Sequence, residues 1–258
     1  MLKNLITLSI LFITISTSHL FGQINETKDY MLISQQLLEA LKEGQSTESY
    51  VQIFALSTEK EISSQIKSDD EKIAFWVNIY NAYIQIRLKE KPERYNKRNQ
   101  FFKENFIQIA GRNMSFSNIE HGIIRGSQWL YGLGRIKNPF APGYQKRLCP
   151  SKREPRVHFA LNCGAKSCPP VFIYDPVDLD EQLNKMTDNF LKKYSSYDRD
   201  ENRVNTTPLF SWFRGDFGGK KGVKKMLSDY GVIPHTDVAL KFDDYDWTLY
   251  LDNFVELE

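Results

Sequence analysis

The chain has 258 residues, 41% hydrophobic and 13% aromatic, enough for a packed core and too many for a generally disordered chain. Lys and Arg number 34 against 32 Asp and Glu, a formal charge of +2, so no global field favours nucleic acid or an anionic membrane. No apolar run reaches the roughly 20 residues that a spanning helix needs.

Met1 to Gly22 reads as a secretory signal: Lys3 supplies a positive start, Leu5 to Ile15 is nearly all apolar, and small or polar residues follow. The expectation is export to a bacterial periplasm, no membrane span after signal removal, and a single globular domain over 23–258. Asp29 to Glu43 carries Tyr30, Ile33, Leu37, Leu38 and Leu41 at helical spacing. Thr58 and Glu61 have the spacing of a capping box and open a short helix. Asp69 to Lys89 is the strongest helix, with acids in its first turn and Pro92 beyond its end. Phe75, Ile79, Ala82 and Ile86 share its core face, and Asn78, Asn81 and Gln85 form a polar stripe beside it.

Phe101 to Phe116 predicts a short hairpin turning at Gly111-Arg112-Asn113. Ser117 and Glu120 form a second capping box, so a helix is expected from Ser117 to about Arg125. Gly132 to Pro155 predicts a long loop, rich in Lys and Arg, whose charge could attract an anionic substrate or simply be solvated. Arg156 to Cys163 alternates as a strand, with Val157, Phe159 and Leu161 facing away from His158, Ala160 and Asn162. Helices follow from Asp178 to about Tyr194, over Pro208–Phe213 and over Gly219–Tyr230. Val238–Phe242 and Trp247–Leu251 read as a closing hairpin. Early helices and late strands favour an α+β fold, one domain with helices packed around a small mixed or antiparallel sheet.

Three segments carry a family resemblance: Ala74-Phe-Trp-Val-Asn-Ile-Tyr-Asn-Ala82, Ile119-Glu-His-Gly-Ile-Ile-Arg125, and His158-Phe-Ala-Leu-Asn-Cys-Gly-Ala-Lys-Ser-Cys-Pro-Pro170. In this order they resemble the domain of unknown function 547 family, over roughly residues 70 to 215. The resemblance implies a widespread domain, found in secreted bacterial proteins and in plants, with no activity to carry over.

The chemistry-bearing residues leave two readings open. In the first, the protein is a cysteine/histidine-dependent hydrolase or acyl-transferase of the cell envelope. Cys163 is its nucleophile, His121 its general base, Glu120 or Asn81 the orienter, and His158 a further catalytic candidate. The Gly164 region supplies oxyanion donors, and Asn78, Asn162, Gly164 and Ser167 bind a small-molecule or peptide ligand. In the second, the chain is a non-catalytic binding or scaffold domain stapled by a Cys163–Cys168 disulfide, with Cys149 left over. Glu120 is then only a cap, and the Asn residues only tie loops. Thiol–disulfide exchange fits less well, since the familiar redox pair has two intervening residues rather than four. The Cys and His spacings lack the paired short gaps of structural zinc sites. No metal, cofactor or nucleic-acid partner is therefore expected, and nothing in the sequence sets an oligomeric state.

Overall fold

A computed structural model describes residues 28–129 and 132–257; the expected signal segment, 1–22, lies outside the described residues. Local chemistry starts three of the first four helices. Asp29 accepts from the Leu32 amide and opens α1, Tyr30–Lys42. α2, Glu48–Leu56, follows without a side-chain cap. The Thr58/Glu61 capping box forms in full and opens α3, Glu59–Gln65. A second full box, Ser68 with Glu71, opens α4, Asp69–Glu90, and Pro92 begins a 3-10 turn, Pro92–Lys97. α5, Arg98–Phe101, completes this half.

α4 is the centre of the molecule. Every residue from Ile73 to Ile86 is buried, so the expected single core face is in fact a helix walled in all round. The expected polar stripe survives burial because its amides are satisfied by backbone. Asn78 donates to the Tyr174 carbonyl (2.9 Å) and accepts from the Tyr174 amide (2.9 Å). Asn81 does the same for the Ala160 carbonyl and the Asn162 amide, and Gln85 accepts from the Asp252 amide. These pairs pin the 160–174 segment and the C-terminal segment to the central helix.

β1, Ile107–Ile109, and β2, Arg112–Met114, form the expected hairpin, with positive φ at Ala110 and Gly111 as a tight two-residue turn requires. The next helix departs from expectation. Ser117 has helical backbone angles and makes no cap bond; Ser115 and Asn118 exchange side-chain-to-amide bonds instead. Asn118–Ile124 is then a π-helical turn, carrying an i+5 bond from the Arg125 amide to the Glu120 carbonyl.

The expected 132–155 loop contains one helix, α6, Gly143–Leu148. The strand expected over 156–163 does not form. Pro155, with its fixed φ, and the Glu154 carboxylate accepting from the Arg156 amide start a 3-10 turn, Pro155–Phe159. Val157, His158 and Phe159 are consequently all buried. α7, Leu179–Tyr194, buries Leu183, Met186 and Phe190 on one face.

β3, Ser196–Asp198, pairs antiparallel with β4, Arg203–Thr206. α8, Leu209–Trp212, and α9, Gly219–Asp229, follow as expected. The closing hairpin is replaced by two separate pairings. β5, Ala239–Phe242, joins β4 in parallel, and Trp247–Leu251 lies on the segment after Cys163, where Lys166 donates to the Thr248 carbonyl and Tyr250 to that of Gly164. The connection from Asp243 to Asp246 offers no glycine for a tight turn, whereas the Lys166 amide and the Gly164 carbonyl take their backbone partners from the 247–251 segment. The fold is α+β, with two small, partly exposed sheets and α4 at its core.

Candidate active site

The buried apolar residues form two clusters, one around α4 and one around Phe159, Phe190, Phe210 and Phe217. At their seam lies a cavity of about 380 Å³, of the size that holds a small ligand. One wall carries Glu120 and His121 from the π turn, His158 from the 3-10 turn, and Tyr80 from α4. Another is aromatic: Trp212 and Phe213 at the end of α8, with Tyr245 and Trp247 from the C-terminal segment. Cys163 also lines it.

The two imidazoles are held differently. His158 Nε2 lies 2.8 Å from Asp216 Oδ2, and both side chains are almost fully buried. Burial alone pushes the Asp216 carboxyl up, but hydrogen bonds from His158 and Arg125 reverse this and hold it at about 2. Asp216 is therefore ionised and accepts, so Nε2 carries the proton and Nδ1 keeps its lone pair. Burial pushes the His158 imidazole below its ordinary value, outweighing Asp216, so it is neutral at pH 7. Phe213 stacks on its ring at 4.0 Å.

Asp216 is itself anchored: Arg125 Nε donates to Oδ2 at 2.6 Å and Arg153 Nη1 to Oδ1 at 3.0 Å. Arg125 also donates from Nη1 to His121 Nδ1. A guanidinium has no lone pair to accept with, so His121 Nδ1 is bare and Nε2 holds the proton. Burial pushes His121 down, and Arg125 adds to this against the pull of Glu120. Glu120 Oε1 lies 3.6 Å from His121 Nδ1, and its other oxygen accepts from the Tyr80 hydroxyl at 3.2 Å. With the Ser117 box unformed, Glu120 has no capping duty. Tyr80 stays protonated, raised first by burial and then by Glu120.

Of the residues singled out from the sequence, Glu120, His121, His158 and Cys163 share this cavity. Asn78, Asn81, Asn162, Gly164 and Ser167 are not among its lining residues. Asn162 is wholly buried, donating to the Pro169 carbonyl and accepting from Gln85 and the Gly164 amide, so the Gly164 N–H expected as an oxyanion donor is taken. Ser167 Oγ accepts from the Asp246 amide. Cys163 is bonded to Cys168 and Cys149 is the free thiol, so the sulfur expected as nucleophile is closed in this form. Several cations of the 135–156 segment act as struts: Arg147 to Glu59, Arg153 to Asp216, and Arg156 to Glu154 and Asp180. Among the described residues no three His, Cys, Asp or Glu side chains are placed to hold a metal ion.

Asp216 is the residue that sequence reasoning missed. Its signal was there: it is the only acid between Glu201 and Asp229, set between glycines in a basic stretch.

The profile of the family described as protein of unknown function, DUF547, matches residues 63–191, and the chain belongs to that family. No curated protein and no solved structure matches the chain. The matched region contains Glu120, His121 and His158 and stops short of Asp216. Among the described residues no helix is long and apolar enough to cross a membrane.

Proposed function

We propose that this protein is an exported hydrolase or acyl-transferase that acts by acid–base catalysis in the seam cavity, on a small-molecule or peptide substrate of the envelope. The observation that carries this reading is the His158–Asp216 pair: a buried neutral imidazole, oriented by an ionised carboxylate, with its second nitrogen bare. His158 Nδ1 takes the proton from an attacking water or substrate hydroxyl, and Asp216 positions the ring and offsets the imidazolium that forms. The roles read from the sequence thereby change hands: His121, with its proton on Nε2 and its ring held by Arg125, is the donor to developing negative charge, and Glu120 accepts from the Tyr80 hydroxyl. Cys163 is not the nucleophile of the oxidised form. A disulfide fits export to an oxidising compartment, as the leader-like first 22 residues suggest.

The test is turnover by the purified protein across a panel of esters, amides and peptides, read by mass spectrometry. Replacing His158 with Gln is expected to cost about 10²–10⁴-fold with the fold intact. Unchanged turnover in His158→Gln removes the proposed base, and absence of turnover by the parent protein across the panel refutes catalysis. The second reading, a stapled binding domain, is favoured by the closed disulfide and the satisfied Asn amides; it predicts ligand binding in this cavity that His158→Gln leaves intact.

A further inference from the structure

We propose that the Cys163–Cys168 bond is a thiol–disulfide exchange site opening into the seam cavity, with Cys163 the sulfur attacked and Cys168 the leaving thiolate. The two sulfurs are unequal. Cys163 is partly exposed and lines the cavity, whereas Cys168 is 2% exposed. Cys168 Sγ accepts two hydrogen bonds, from the Cys163 amide at 3.0 Å and from the Tyr245 hydroxyl at 3.1 Å; the same hydroxyl lies 3.6 Å from Cys163 Sγ. Burial raises the Tyr245 phenol far above its ordinary value, so it remains a donor at neutral pH. A purely structural staple has no need of donors gathered on one sulfur. An exchange site does, because the rate rises as the leaving sulfur is better stabilised as a thiolate.

The step balances with an external thiol of the glutathione or protein-dithiol class. Its thiolate attacks Cys163 Sγ and forms a mixed disulfide there, while the electron pair of the broken bond passes to Cys168 Sγ. A second external thiol then displaces Cys163, so the donor is oxidised to its disulfide and the protein is reduced to two thiols. The four-residue spacing that argued against exchange concerns sequence alone; the donors and the cavity supply what a shorter motif obtains from a helix N-terminus.

The experiment uses the full chain with Cys149→Ser, oxidised, in millimolar glutathione at neutral pH, followed by acid quench, alkylation and peptide mass mapping. The native protein is expected to open. Adducts trapped early on the oxidised Cys163–Cys168 pair are expected on Cys163 and not on Cys168. Tyr245→Phe, with its thermal midpoint checked, is expected to slow opening by about tenfold, the worth of one hydrogen bond to a charged sulfur. A bond that stays closed until denaturant is added overturns the proposal, as does an adduct found on Cys168. Equal rates with and without the Tyr245 hydroxyl also overturn it; should Tyr245→Phe fail to fold, the site of addition decides. Exchange should persist in His158→Gln, so this proposal and the acid–base reading fail separately.

Discussion

Replacing Asp216 with Asn tests the centre of the site. The carboxylate and the Arg125 guanidinium are each 3% exposed, 2.6 Å apart, and Asp216 also accepts from His158. Asn keeps the shape and one acceptor oxygen, but it leaves the buried Arg125 charge without a counter-charge and turns an N–H toward one of the donors. Breaking a buried pair from one side costs about 3–5 kcal/mol, whereas Arg153, 40% exposed, adds little. Against a total stability of roughly 5–15 kcal/mol this is severe, and it corresponds to a midpoint drop on the order of 10 °C for a chain of this size. Urea denaturation at pH 7 should show a lower midpoint at unchanged slope. A paired variant, Asp216→Leu with Arg125→Met, should recover much of the loss because no charge is left stranded. A loss below about 1 kcal/mol in Asp216→Asn, or simple additivity in the pair, would refute the buried-pair account.

Three further expectations follow from the geometry. Stability should depend on pH in two stages. His121 and His158 lie below their ordinary value of 6.5 when folded, so unfolding takes up protons and stability falls as pH drops from 6.5 toward their folded values, with no contribution above. Asp216 adds stability above 3.8 that is lost from there down to about 2; urea midpoints against pH should show both stages, and His158→Gln should shrink the upper one. Asn81→Ala should cost about 2–3 kcal/mol by orphaning the Ala160 carbonyl and the Asn162 amide, and protection of the 160–163 amides from hydrogen exchange should fall with it. Gly134→Ala should destabilise the site, because Gly134 has φ +76° and an added Cβ runs into the Asp216 side chain and amide; a wild-type thermal midpoint would contradict this.

What was legible in the sequence was what neighbours in the chain decide. Thr58 with Glu61 capped a helix as expected, and Gly111 marked a real turn. Ser117 and Glu120 have the same spacing as a working box, but two residues upstream Ser115 and Asn118 satisfy each other first, and local spacing cannot rank two such offers. Phe101–Phe116 as a whole read as hairpin, though only 107–114 is strand, and the β3–β4 pair went unread because its short runs carry little alternation. The strand expected over 156–163 was a misread period: four residues of alternation after a proline serve a 3-10 turn equally well. Four of the candidate site residues do meet in one cavity, since motifs that place polar groups inside apolar segments tend to mark a shared cleft. The Asn residues have the same appearance in sequence and are loop ties instead; only the backbone partners opposite them tell the two uses apart. Asp216 stands 58 residues from His158, and that separation has no periodic signature.

The π turn joins these threads. An ordinary α-helix from Ser117 would spend Glu120 on its own cap and set successive side chains about 100° apart. With the cap moved to Ser115 and Asn118 and the turn widened, Glu120 and His121 line the cavity together, and Arg125 reaches back to His121 while gripping Asp216. A π turn is rare because it is costlier than the helix it replaces, and such turns concentrate at functional sites. Here the cost is offset where Arg125 meets Asp216, so the wide turn and the buried ion pair stabilise each other. The turn lies inside the matched family region and its anchor lies outside it, beyond residue 191. A fragment ending at residue 191 keeps Glu120, His121 and His158 but loses both the carboxylate and the Phe213 and Phe217 rings packed on His158, so the burial that holds this imidazole below its ordinary value should be relieved and its NMR titration should move up.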